Sequence, residues 1–162
     1  MLKIRNATIK DLSDIVKIEH LCFSIEEAAT KESTEKRIHL IPDSYFVAEE
    51  NSVIMGLING PVIQTRFITD DLFSDIKENP ATGGHQSILG LAVDPHNQKR
   101  GIASKLLSRL EKEAIVKKRE TITLTCKENL IPFYENRGYL NNGVSSSAHG
   151  GVTWYNMSKR LV

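Results

Sequence analysis

The stretch Ser87-Ile88-Leu89-Gly90-Leu91-Ala92-Val93-Asp94-Pro95-His96-Asn97-Gln98-Lys99-Arg100-Gly101-Ile102-Ala103-Ser104, with its continuation to Arg119, decides how the rest of the chain is read. Ile88 to Val93 is an apolar run of strand length, too short to make a helix of its own. Asp94-Pro95-His96-Asn97 ends it with turn residues, because proline fixes φ and Asp and Asn bond their own backbone. Ile102, Leu106, Leu107, Leu110, Ala114 and Ile115 then recur at helical spacing, with charged residues such as Lys105, Arg109, Glu113 and Lys117 on the opposite face. A glycine at a helix start lets a phosphate approach first-turn N–H groups that have no partner inside the helix. A strand that delivers the chain to such a turn is a candidate pyrophosphate site.

Composition sets the outer bounds. At 162 residues, 40% hydrophobic and 25% charged, the chain has the make-up of an ordinary globular protein, expected to form one domain over residues 1–162. A net charge of +1 gives no electrostatic reason to expect a nucleic-acid partner. No apolar run approaches the ~20 residues that span a bilayer, so no membrane partner is expected. Met1-Leu2-Lys3-Ile4-Arg5-Asn6 lacks the apolar core of a signal peptide, and a cytoplasmic location is expected. Cys22 and Cys126 are isolated thiols without metal spacing, and no metal is expected.

Moving outward from the central stretch, Leu2 to Ala7 alternates as a half-buried strand does, and Thr8 can cap a helix through Leu12, Ile15, Val16, Ile18 and Glu19. Ser24 with Glu27 three residues on has the form of a capping box, opening a second helix to about His39. Tyr45–Glu49 and Val53–Gly60 read as a hairpin, and Asp70 to Ile76 as a short helix in an otherwise irregular connection. Thr121–Cys126 alternates cleanly as a strand, and Asn129 to Asn136 reads as a short helix that tolerates Pro132 in its first turn. Asn141 to Gly151 reads as a polar loop and Val152–Met157 as the last strand.

Gln98-x-x-Gly101-x-Ala103, placed after Leu91-Ala92-Val93, resembles motif A of the GCN5-related N-acetyltransferases. The run from Cys126 to Tyr139 resembles that family's second signature, a helix carrying a Tyr followed four residues later by Gly and an aromatic. Around Pro132-Phe133-Tyr134 the wording is nearest the arylalkylamine (serotonin-type) branch. The resemblance implies an α/β (α+β) domain with a mixed, mostly antiparallel central sheet flanked by helices, in the order β-α-α-β-β-β-α-β-α-β-β. It implies acetyl-coenzyme A as co-substrate, with direct transfer to a primary amine in a ternary complex. The acceptor is expected to be a small molecule, the alternatives being a peptide or a coenzyme A-binding module without catalysis. Family members often pair through their late strands, so a homodimer is an expectation.

Residue by residue, the resemblance implies that main-chain N–H groups of Gln98, Lys99, Arg100, Gly101, Ile102, Ala103 and Ser104 hold the pyrophosphate, with Lys99 and Arg100 adding charge. Leu91, Ala92 and Val93 would polarise the thioester carbonyl through the main chain, and Tyr134 would protonate the departing sulfur. Phe133 and Asn129 are expected along the pantetheine arm, although Lys127 holds the position where many members carry Asn. The branch's two histidines fall here on Ser87 and Leu89, which leaves His85 as the expected base. Glu26, Glu27 and His149 are the alternatives. Neither Cys22 nor Cys126 has the neighbours of a covalent acetyl carrier.

Overall fold

The computed structural model describes residues 1–73, 75–147 and 151–161. The chain opens with β1 (Lys3–Asn6) and, after one 3-10 turn, α1 (Leu12–Cys22). The Asp11 carboxylate starts this helix by accepting the Thr8 N–H at 2.8 Å. The next helix, α2 (Lys31–Leu40), begins six residues later than the Ser24 pattern suggests. Ser24 and Glu27 do meet, at 2.9 Å, but side chain to side chain, and Glu27 also pairs with Lys127 at 2.8 Å. A capping box works only when both side chains reach backbone N–H groups, so this one closes a turn and no helix grows from it. Thr30 is the working cap, its hydroxyl accepting the Ser33 N–H at 3.1 Å.

β2 (Tyr45–Glu50) and β3 (Val53–Asn59) form the expected hairpin, with Asn51 and Ser52 both left-handed, at φ 52° and 66°, as a two-residue loop of that twist requires. β4 (Val62–Ile63) follows, and the helix expected at Asp70 shrinks to a 3-10 turn, Asp70–Phe73. Then come β5 (His85–Ile88), β6 (Gly90–Val93), α3 (Ile102–Val116), β7 (Thr121–Cys126) and α4 (Ile131–Glu135). β8 (Leu140–Val144), the strand expected after α4, extends over Asn141 to Val144, sequence expected as loop, and β9 (Tyr155–Arg160) starts three residues later than expected. The cause is pairing: β8 lies antiparallel on β9, and a partner strand overrides the weak strand propensity of Asn141-Asn142-Gly143.

The strand read as continuous from Ile88 to Val93 is two strands in two sheets. One sheet has the order β1-β2-β3-β6 and is antiparallel throughout; the other runs β4-β5-β7-β9-β8, with β5 and β7 its parallel pair. The handover is at Leu89. Ser87 is held toward Pro61, whose carbonyl accepts both its hydroxyl, at 2.6 Å, and its N–H, at 3.1 Å. Leu89 N–H instead reaches Asn59 O at 2.8 Å, and from Gly90 onward the chain runs beside β3. Gly60 allows this crossing, since a Cβ there would lie 2.1 Å from the Ser87 carbonyl oxygen. Beyond Leu89, β6 follows β3 while β7 follows β9, and the two neighbours part.

α3 buries Ile102, Leu106, Leu107, Leu110 and Ala114 against a core that also holds Phe46, Ile58, Leu124, Tyr134 and Met157. On the other face of the first sheet, Ile15, Ile18 and Ile38 of α1 and α2 pack with Val47, Leu57 and Ala92. Each such side chain stabilises the fold by roughly 1.5–3 kcal/mol relative to exposure. The mixed, mostly antiparallel architecture flanked by helices is the one expected. Among the described residues, no helix is long and apolar enough to cross a membrane.

Candidate functional site

The turn that enters α3 is built to present N–H groups. Lys99 and Gly101 are both left-handed, at φ 64° and 78°, and a Cβ on Gly101 would meet nothing within 4 Å. Glycine is thus required by the backbone, and its open side faces free space. The first bond of the helix ladder is Lys105 N–H to Gly101 O, at 3.1 Å, which leaves the N–H groups of Ile102, Ala103 and Ser104 without helical partners. The Gln98 amide ties the turn to the end of β6 by donating to Val93 O at 3.2 Å. Arg137 closes it from α4's side, donating through Nε to Ser104 Oγ at 3.0 Å and stacking 3.8 Å above the Phe133 ring. Arg100 is turned away. It donates to the Glu50 carboxylate at 3.0 and 3.1 Å and to Asn97 at 2.9 Å, because that partner draws the guanidinium to the far side of the turn.

Where β6 leaves β7, its outer edge is unpaired. Asp94 N–H donates to Met55 on β3, so by strand alternation Ala92 also faces β3, while the N–H groups of Leu91 and Val93 face the opening. The main-chain polarising role expected of Leu91, Ala92 and Val93 therefore narrows to the first and last. A cleft of about 750 Å³ runs along this edge. Leu91, Ala92, Val93, Gln98, Lys99, Gly101, Ile102, Ala103 and Ser104 line one side of it, and Asn129, Phe133, Tyr134 and Arg137 the other. The structure thus brings together every expected cofactor residue but Arg100.

A second cavity, of about 340 Å³, opens on the α1–α2 side of the same gap. Phe23, Glu27, Leu91, Leu130, Tyr134 and Trp154 line both, and so form the passage between them. Tyr134 is 5% exposed, and its hydroxyl makes no hydrogen bond to a described residue. Burial raises its pKa above the ordinary phenol range, with Cys126 adding and Arg137 opposing. Burial likewise pushes the Cys126 thiol up to about 11 and raises Cys22, whose Sγ lies 3.2 Å from Val93 O. Neither thiol is activated as a nucleophile.

Two charged residues in the second cavity had no functional role in the sequence reading. Glu19 and Arg37 are each 3% exposed, on α1 and α2. Burial pushes the Glu19 carboxyl up to about 7, against the opposing pull of Arg37 and of the Ala29 N–H. Its Oε1 lies 3.5 Å from where a Cβ on Gly90 would sit, beside the handover between the sheets. The signal was in the spacing. Glu19 falls four residues after Ile15, on the face of α1 that should be apolar.

His85, the expected base, is not brought to the site. Its Nδ1 is 2.8 Å from Thr121 Oγ1 and its Nε2 3.8 Å from Glu120, and it lines neither cavity. It sits at the start of β5, which is paired on both edges by β4 and β7, well before the strands separate. Of the alternatives, Glu26 and Glu27 line the second cavity, and His149 lies outside the described residues.

A family model for the acetyltransferase (GNAT) domain matches residues 16–161. No curated protein matches the chain in sequence. Among solved structures, the chain is similar to the loading GNATL domain of CurA from Lyngbya majuscula, at 16% identity and a TM-score of 0.83, covering 99% of this chain and 98% of that one. It is similar to the GphF GNAT-like decarboxylase solved with isobutyryl-CoA, at 17% identity and a TM-score of 0.84, covering 99% and 100%. It is also similar to the ribosomal-protein-S18-alanine N-acetyltransferase from Escherichia coli, at 15% identity and a TM-score of 0.70, covering 99% and 94%. At these identities the likeness is one of fold.

Proposed function

Because the chain belongs to the GNAT acetyltransferase family, we propose that it moves an acetyl group from acetyl-coenzyme A to the primary amine of a small molecule, by direct attack in a ternary complex. The observation that carries this reading is the passage at Leu91, Tyr134 and Glu27, where the cofactor cleft meets a separate cavity of small-molecule size. The turn from Gln98 to Ser104 and the positive end of α3 hold the pyrophosphate. Arg137, stacked on Phe133 and bonded to Ser104, adds the cation that Arg100 does not bring. The N–H groups of Leu91 and Val93 polarise the acetyl carbonyl, as donors fixed in place before the charge develops.

The amine nitrogen attacks the carbonyl carbon from the second cavity and the carbon–sulfur bond breaks. Glu19 takes the proton from nitrogen, since a carboxyl titrating near 7 is suited to that task at neutral pH. Tyr134 gives its hydroxyl proton to the departing thiolate. The Glu27–Lys127 pair across the passage positions α4's approach to the α1–α2 loop. Of the arylalkylamine resemblance, what remains is the apolar wall of Phe23, Phe73 and Trp154, which suits an aryl or alkyl side chain. A carboxylate stands in for that branch's histidines.

The test is thiol release from acetyl-coenzyme A with panels of small amines and of short peptides. Turnover on small amines, with peptides slower, is the expected result. Tight binding of acetyl-coenzyme A with no turnover on any amine would replace the enzyme by a binding module.

A further inference from the structure

The second cavity holds two buried charges of opposite sign that do not meet. A guanidinium carries five donors, yet Arg37 makes a single hydrogen bond to a described residue, to Asn59 Oδ1 at a long 3.3 Å. No carboxylate of a described residue lies within 4.0 Å of it, Glu19 included. Burial works against the charge on Arg37, and Glu19 supports it only from beyond ion-pair distance. A buried ion left without a hydrogen-bonded counter-ion is costly, and proteins retain one where something else supplies the counter-charge. Asn59, which is fully buried, adds a second unmet group: with Oδ1 on Arg37, its Nδ2 has no partner.

The surroundings of Arg37 in the cavity are those of an anion subsite. Thr30 and Ser33, the N-cap and third residue of α2, line the cavity with it. Glu19, which accepts the Ala29 N–H, reaches Gly90 and the strand edge where the acetyl carbonyl is to be held. Apolar side chains, Phe23, Phe73 and Trp154, fill the remainder. An amine without a negative group would leave Arg37 unanswered.

We propose that the acceptor is an amino acid with an apolar side chain, its carboxylate held by Arg37 and its amine turned to Glu19 and the Leu91 edge. This rests on reading the second cavity as the acceptor side of an N-acetyltransferase. Arg37 is a specificity-determining residue: it touches the substrate at a distance from the reacting atoms, and it selects by leaving a buried charge unpaired when the carboxylate is missing.

The experiment compares matched amines that differ only in the carboxylate, phenylalanine against phenethylamine and leucine against 3-methylbutylamine, on the wild-type protein. The free acids are expected to show kcat/KM about a hundredfold higher than the amines lacking the carboxylate. Arg37→Gln is expected to abolish that preference by raising KM for the acids, with KM for acetyl-coenzyme A unchanged. Amines lacking the carboxylate turned over as well as the acids, or better, would overturn the amino-acid assignment and leave N-acetyl transfer standing. No turnover on any amine, with acetyl-coenzyme A bound, would overturn both. The wild-type comparison needs no variant, so it decides the matter even if Arg37→Gln does not fold.

Discussion

Tyr134→Phe is expected to lower kcat by about a hundredfold or more while leaving the affinity for acetyl-coenzyme A within about a factor of two. The ring is what packs: it meets Phe133 and Tyr139 edge to face, at centroid distances of 5.0 and 5.5 Å, and the substitution keeps it. What is lost is one hydroxyl that bonds to no described residue and lies at the passage between the cavities. Its raised pKa keeps it protonated throughout the working range. The same low-dielectric surroundings that raise the phenol also raise a thiolate forming beside it, so the proton transfer stays matched. Single-turnover and equilibrium-binding measurements separate the two effects. A variant with unchanged kcat would remove Tyr134 as the acid, and one with lost affinity would make it a binding residue.

Glu19→Gln is expected to cost on the order of 10²–10⁴ in kcat/KM and to alter the pH profile. The sign follows from the cause of the shift. Burial disfavours the ionised carboxylate and so raises its pKa, to about 7. A carboxyl is a base only when ionised. Below about 7 the ionised fraction falls tenfold per pH unit, and kcat, which does not follow the titration of the free amine, should rise with pH along that limb before levelling. The amide cannot titrate, so the limb disappears in the variant. A wild-type limb that persists in Glu19→Gln belongs to another group, and the base is then not Glu19.

The fold was legible because its elements announce themselves locally. Thr121–Cys126 alternates, the α3 stripe has helical period, and Gly101 marks the turn between strand and helix. The handover at Leu89 was not legible. Ile88 to Val93 is evenly apolar, and what breaks it is a distant contact, Gly60 against Ser87. The cofactor side could be read from sequence because main-chain groups dominate it and their positions follow from the turn. Arg100 shows the limit of that reading, since its direction is set by Glu50, a residue 50 positions away in sequence. The acceptor side depends on which polar residues two helices bury together. Glu19 and Arg37 are eighteen positions apart, on elements whose relative placement no local pattern records. Ser24 and Glu27 misled for the same reason: the pattern was present, but Lys127 took the carboxylate.

The parting of β6 from β7 also bears on how the protein survives when coenzyme A is scarce. Each side of the gap is a strand edge with main-chain groups unpaired, and such an edge is a template onto which a strand from another molecule can add. On the proposed reading, the pantetheine arm would occupy that edge in the ternary complex and block the addition. Coenzyme A would in this sense guard against self-association as well as react. Light scattering on warming should show aggregation slowed by coenzyme A by more than the rise in melting temperature explains, and equal rates at matched distance from Tm would remove the guarding role.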